Sequence, residues 1–415
     1  MTIAQFLLVL IAVFASAKIF GEIAERIGQP AVLGELVAGL VVGVSGFHLV
    51  DPHNETIHLL AELGVILLLF MIGLETDLKK LLSVGASSAA VAVVGVTLPF
   101  LFGYLAGHYL GYPTVVSVFL GAALTATSVG ITARVLSDLG HLNDPESQVV
   151  LGAAVIDDVL GLIILSVVSS LAAGQEVSFL GITKTTVIAF GFIIVAIVLG
   201  GILAPRLISL ITRLRVAKAL FFASVMFAFA LAYFADQLGS AVIIGAFAAG
   251  LVLTKTEQGR QIEKEVHDIA QFFVPIFFVS VGAAIDLRTL NPFEADSRKF
   301  VIIGAVLTLV AILGKVAAGW AAIGGKLNKL VIGVGMIPRG EVGLIFAKIG
   351  LGAGVLTSGL YSSVAMMVII TTFITPPMLR TLLARKARRD ELFGVALMVT
   401  DAPSDSEERP AADQD

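Results

Sequence analysis

Cysteine is absent from the 415 residues, which excludes a disulfide framework, a thiolate metal site and a cysteine nucleophile. Charge is scarce: Asp, Glu, Lys and Arg make up 14% of the chain, against roughly a quarter in a soluble domain. So few ionic side chains do not cover a water-facing surface of this size. The histidines, His48, His53, His58, His108, His141 and His267, show no metal-ligand spacing. No basic patch with interleaved aromatics marks a nucleic-acid partner. What is abundant is hydrocarbon: 57% of the residues are hydrophobic and the mean hydropathy is +0.99.

A helix crosses a bilayer with about 20 mostly apolar residues. Runs of that kind recur from Thr2 to Leu383 and leave no room for a separate soluble domain. Breaks at charges and at Gly/Pro clusters divide them into thirteen spans. These are 2–20, 31–50, 57–75, 84–109, 115–136, 147–173, 185–210, 218–236, 240–254, 268–286, 300–323, 329–350 and 359–382. The expected fold is an all-α integral membrane protein of thirteen transmembrane helices. The first run ends in Ala15-Ser16-Ala17, the shape of a signal-peptide cleavage site. No basic residue precedes it, however, and Lys18 follows it, so it reads as a retained span. Acid is concentrated in residues 386–415: eight Asp or Glu against one Arg from Asp390 onward, a composition that reads as a disordered cytoplasmic tail.

Loops after odd-numbered spans, with the C-terminus, collect 20 of the 27 Lys and Arg residues; the opposite loops hold four. By the positive-inside rule the N-terminus is outside and the C-terminus cytoplasmic, as expected for a multi-pass protein of a cell (inner) membrane. The remaining three, Lys315, Arg339 and Lys348, fall within spans.

The two halves echo each other. Gly34–Val42 reads GELVAGLVV and Gly245–Leu253 reads GAFAAGLVL, five of nine positions identical at an offset of 211. Gly73, Asp77, Leu78 and Lys79 return as Gly282, Asp286, Leu287 and Arg288 at 209, and Val129-Gly130 as Val342-Gly343 at 213. A shift of seven spans turns the second copy upside down. Inverted-topology repeats of this kind supply the two access states of many secondary transporters.

Charges inside the hydrocarbon are functional candidates by default. Asp157 and Asp158 stand side by side in the sixth span, within GAAVIDDVLGL. Adjacent helix positions diverge by about 100°, so the two acids are expected to face different partners. A carboxylate in low dielectric holds its proton to higher pH, and its oxygens are hard ligands for a small cation. A site that takes H+ or Na+, but not both, exchanges them once it faces each side in turn. Lys315, in the middle of the eleventh span, needs a carboxylate partner, for which one of the two acids is the natural choice. The fifth span (Thr125, Thr127, Ser128, Gly130, Thr132) and the twelfth (Gly335, Pro338, Arg339, Gly340, Glu341, Gly343) look interrupted at repeat-related positions. Two discontinuous helices at matching places point to an ion site. Freed carbonyls and hydroxyls there would ligate a cation, with Arg339 and Glu341 compensating the half-helix dipoles. Gly39 and Gly43 read as helix-packing positions. Glu35 and Glu62 suit packing or interfacial placement, or an ion funnel.

The stretches Gly121–Leu136, Gly152–Leu162 and Gly335–Ile345 resemble the cation:proton antiporter-2 family, nearest to its NapA-type Na+/H+ antiporters, over about residues 1–385. The resemblance implies a homodimer and an elevator-like core, with core spans about 84–173 and 300–382, dimerisation spans about 2–75 and 218–286, and a linker span about 185–210. It implies Asp158 as the ion- and proton-binding acid, Asp157 paired with Lys315, and Thr127, Ser128 and Glu341 where the two helices unwind. Transient Na+ ligation would fall to Asp158, Asp157 and Thr127. No resident cofactor is implied, since Na+ (or Li+) and H+ are cargo. Exchange of K+ on the same scaffold stays open. An intramembrane aspartyl protease needs carboxylates from separate helices and a channel needs a filter motif; the chain has neither pattern, so it does not read as an enzyme or a channel.

Overall fold

The computed structural model describes residues 1–52, 54–172, 179–211, 216–285, 295–324 and 327–400, with only the main chain described at 166, 169, 172, 179, 180, 182, 185, 295–297, 341 and 387–400. Among the described residues the secondary structure is helical throughout, without a strand. The helices are α1 (Ile3–Arg26), α2 (Ala31–Val42), α3 (Glu55–Glu75), α4 (Leu78–Ser83), α5 (Gly85–Tyr109), α6 (Thr114–Ala123), α7 (Val129–Asp138) and α8 (Pro145–Ala172). There follow α9 (Phe179–Ile211), α10 (Ala219–Gln237), α11 (Val242–Leu253), α12 (Gly259–Ala283), α13 (Ala295–Ala318), α14 (Lys329–Gly335), α15 (Glu341–Gly352) and α16 (Ser358–Thr400). Nine helices among the described residues are long and apolar enough to cross a membrane, and four shorter apolar segments accompany them.

Polar punctuation sets the boundaries. Thr2 and Gln5 form a reciprocal capping box at the head of α1, satisfying two N–H groups that a helix start leaves open. Asn54, Asp77 and Asn328 cap α3, α4 and α14 with side-chain oxygens. Gly140, at φ +72°, closes α7 in the left-handed conformation that a side chain disfavours. The turn delivers His141, Asn143 and Asp144 to the neighbouring helix ends. The second span, expected over 31–50, is helical only to Val42; Gly43 and Gly46 lie in the tight turn beyond it. At the other end α16 runs to Thr400, past residue 386 where the tail was expected to begin. No proline follows Pro377 until Pro403, and a run of Lys, Arg, Ala and Leu favours helix there. Residues 401–415 lie outside the described residues, as do His53 and the echo Asp286-Leu287-Arg288.

α3 packs on α11 and α12, α2 on α1 and α12, and α10 on α11; elsewhere α5 packs on α6, α8 and α13, and α16 on α13 and α15. α9 touches α8, α10 and α11, and α7 meets α2 and α3 on one side and α8 and α16 on the other. Close helix approach depends on glycine at the repeat-related positions. A Cβ on Gly34 would strike the carbonyl of Phe20, and one on Gly245 that of Leu231; a Cβ on Gly39 would strike that of Val279, and one on Gly250 that of Phe70.

Candidate ion site at two helix breaks

Two apolar segments fail to stay helical in their middles. Between α6 and α7, Thr125 folds its hydroxyl back onto the carbonyl of Ala122 at 2.8 Å, and Ser128 is extended at φ −79°, ψ 99°. Short hydroxyl side chains compete with helix hydrogen bonds in this way. Between α14 and α15 stand Pro338, which has no N–H to give, and Gly340 in an extended conformation. The breaks meet. Ser128 N–H donates to the carbonyl of Pro338 (2.8 Å), Thr132 Oγ1 to that of Gly335 (2.7 Å), and Thr127 Oγ1 more weakly to that of Met336 (3.4 Å). Each break supplies partners for main-chain groups the other leaves open. A hydroxyl used in this way as a donor keeps its oxygen lone pairs for a cation.

α8 packs on all four half-helices, α6, α7, α14 and α15. Asp157 and Lys315 are fully buried, and Lys315 Nζ donates to Asp157 Oδ2 at 3.0 Å. The structure brings Lys315 to Asp157, the acid that the family resemblance implies as its partner. Asp158, the next residue, is also buried, at 7% exposure. Lys315 lies against α5, its Nζ 3.5 Å from where a Cβ on Gly95 would stand.

Arg339 is fully buried and donates Nη1 to the carbonyl of Met336 at 3.3 Å, so its charge stands at the C-terminal end of α14, where a cation is favoured. Its Nε and Nη2 atoms and Asp157 Oδ1 have no hydrogen-bond partner among the described residues. Asp157, Asp158, Lys315 and Arg339 act on one another as a single electrostatic cluster, with two acids and two bases. The side chain of Glu341 lies outside the described residues; its main chain opens α15.

Two contributors escaped the sequence reading. Thr372 of α16 donates to the carbonyl of Arg339 at 2.7 Å and holds the second break from behind; the polar run Thr371-Thr372-Thr375 in an apolar span was the available signal. Glu146, 2% exposed at the head of α8, accepts from the N–H of Asn328 (2.9 Å) and from Lys386 Nζ (2.7 Å). It ties α8 to the start of α14 and to α16. Its place at a span edge made it look like an ordinary interfacial acid.

A helical membrane protein whose buried acids adjoin two mutually bonded helix breaks has the form of a cation:proton antiporter. Residues 9–385 match the sodium/hydrogen exchanger transmembrane family, and the chain belongs to that family. It is 42% identical to the high-affinity Na+/H+ antiporter NhaS3 of Synechocystis, over 92% of this chain and 90% of that protein. It is 38% identical to the Na+/H+-K+ antiporter GerN of Bacillus cereus, over 91% and 96%. The sodium proton antiporter MjNhaP1 of Methanocaldococcus jannaschii shares the fold at a TM-score of 0.71 and 19% identity, covering 97% of this chain and all of that one. These relatives are transporters, in keeping with the reading that the chain is not an enzyme.

Proposed function

We propose that the chain exchanges Na+ or Li+ for H+, the two competing for Asp158 beside the Asp157–Lys315 pair. The observation that carries this reading is the burial of that pair and of Asp158 on α8, the helix packed against both breaks. Asp157 and the Thr127 oxygen are the further Na+ ligands. A cation on Asp158 opposes protonation of its carboxylate, and a proton removes the charge that holds the cation, so the two fluxes are coupled by occupancy without a covalent step.

Alternating access follows from thirteen spans arranged as inverted repeats with two crossing discontinuous helices. The repeat-related glycine contacts of α2 with α12 and of α11 with α3 support that arrangement. The moving core comprises residues 84–173 and 300–382 and travels elevator-fashion. Residues 2–75 and 218–286 form the homodimer interface, with 185–210 as linker. The 20-to-4 bias of Lys and Arg puts the N-terminus outside and the C-terminus inside the cell membrane.

The test is Asp158→Asn in proteoliposomes with a pH-gradient dye, adding Na+, Li+ and K+ in turn. The expected outcome is dequenching with Na+ and Li+ in the parent and none in the variant, which still folds and inserts. Undiminished exchange in the variant overturns the assignment. K+/H+ exchange is the second reading, favoured by the 38% identity to an antiporter whose name includes K+; dequenching by K+ alone selects it.

A further inference from the structure

α7 meets α2 and α3 along a seam that holds a second group of charges, unused by the exchange site. Glu35 lies one turn into α2 and is 4% exposed, and its buried Oε2 has no hydrogen-bond partner among the described residues. Facing it on α7, Arg134 Nε stands 2.9 Å from Asp138 Oδ1. Asp138 also lies near the main-chain N–H of Val32 in the first turn of α2, where a helix favours an anion. Beside it Ser137 donates to Glu75 Oε2 of α3 at 2.9 Å. Asp138 pairs with the guanidinium by charge, although Arg134 Nε has no hydrogen-bond partner among the described residues, and Glu35 has only a share in that charge.

The other charges around the seam do not complete the count. Lys18 of α1 is exposed and is the weakest of the charges acting on Glu35, while Glu25 of the same helix repels Asp138. Arg380 of α16 lies over Gly28 and is not among the charges that act on Glu35. From α12, Glu263 and His267 act on Glu75, on which Arg134 has the weakest effect. One guanidinium between two carboxylates leaves a negative charge uncompensated where burial is unfavourable to it. A single proton removes the imbalance.

We infer that Glu35 is a second proton-binding acid of this protein, and that its proton keeps α7 seated against α2 and α3. With the proton in place Arg134 and Asp138 balance each other, and the Ser137–Glu75 bond holds the seam. Without it, Glu35 and Asp138 compete for Arg134, water enters, and α7 unseats. The inference rests on the reading that α7 travels with the moving core.

The absence of cysteine makes a clean probe available. Val65 of α3 is 4% exposed, and its Cγ2 lies 3.6 Å from where a Cβ on Gly130 of α7 would stand. A thiol at Val65→Cys is therefore covered only while α7 is seated. Its reaction with a water-soluble maleimide is measured in proteoliposomes across a pH series, normalised to Lys255→Cys at an exposed loop position. The expected result is slow labelling at low pH and at least tenfold faster labelling above a transition. Glu35→Gln in the same background labels slowly throughout. Asp138→Ala leaves Arg134 to Glu35 alone and moves the transition to lower pH by about one unit. A Glu35→Gln variant with the parent's pH dependence overturns the inference; should that variant fail to insert, an unmoved transition in Asp138→Ala does so. Labelling that responds to Na+ but not to Glu35 leaves the moving core standing and removes Glu35 from it. Labelling that responds to neither Na+ nor pH removes both.

Discussion

The main-chain N–H of Ser128 donates to the carbonyl of Pro338 across 2.8 Å, so the last residue of one helix break bonds directly to the middle of the other. The fit is tight around it. A Cβ on Gly340 would lie 2.8 Å from Ser128 Oγ and 2.9 Å from its Cβ, closer than side-chain carbons approach in packed proteins. Gly340→Ala is therefore expected to push Ser128 aside and lengthen the bond to Pro338. Exchange in proteoliposomes should fall at least tenfold, an effect of about 1.4 kcal/mol or more on the barrier, while the protein still inserts. Unchanged exchange would mean that the breaks tolerate separation.

Lys315 and Asp157 form a pair with no exposure on either side. Removing one partner of such a pair costs about 3–5 kcal/mol, because the other charge stays buried. In Lys315→Ala the orphan is Asp157, whose Oδ1 already lacks a hydrogen-bond partner among the described residues. The Arg339 guanidinium still acts on it, which sets the expected loss near the lower end, about 3 kcal/mol. The melting temperature in detergent should drop clearly and recover in part when Asp157→Asn is added. A melting temperature equal to the parent's would argue against a stabilising pair.

The parts of this fold visible in the sequence are those written in hydrophobicity and in rare residues. Two acids and a lysine inside apolar runs point to an ion pair, because hydrocarbon offers a charge little else, but which acid takes the lysine is not written in the composition of the run. The helix breaks were legible for a similar reason: Pro338 and the Thr-Ala-Thr-Ser stretch have few roles within a span. What stayed hidden was the way the breaks satisfy one another. The bonds from Thr132 to Gly335 and from Ser128 to Pro338 join residues more than 200 positions apart, and no local pattern encodes them. Glu146 and Lys386 were hidden differently, since each sits at a span edge, where charged residues are ordinary. The short α2 escaped because the turn after Val42 is itself apolar, and hydropathy does not separate an apolar turn from a helix.

Lys386 and His141 both reach Asp144 Oδ2, at 3.1 and 3.0 Å. Burial alone would raise the carboxyl above its usual range; the hydrogen bonds from His141 and Lys386 outweigh it and hold Asp144 below that range. A depressed folded-state value means the stabilisation is present above the unfolded value, about 3.9, and is lost as pH falls through the folded one. Asp144→Asn should therefore lower the melting temperature at pH 7, by a modest amount for a partly exposed group, under about 1 kcal/mol. The gap from the parent should narrow below about pH 4. Lys386→Met should cost more, because it also strips the buried Glu146 of its ammonium. A gap that widened in acid would contradict the sign.

Gly39 of α2 lies against the carbonyl of Val279 on α12, and Gly250 of α11 against that of Phe70 on α3. The offset from Gly39 to Gly250 is 211, and that from Phe70 to Val279 is 209, so the two contacts exchange partners between the halves of the chain. If they are equivalent in space as well as in sequence, the same methyl group should cost the same at both. Gly39→Ala and Gly250→Ala each force a Cβ into a neighbouring backbone that has no rotamer with which to yield. Overpacking of this kind costs about 1–3 kcal/mol. The expected result is two similar losses of melting temperature in detergent, with the double substitution close to their sum because the contacts lie on different helix pairs. Tolerance at one position with collapse at the other would confine the repeat to sequence and remove its glycine contacts as support for two equivalent access states.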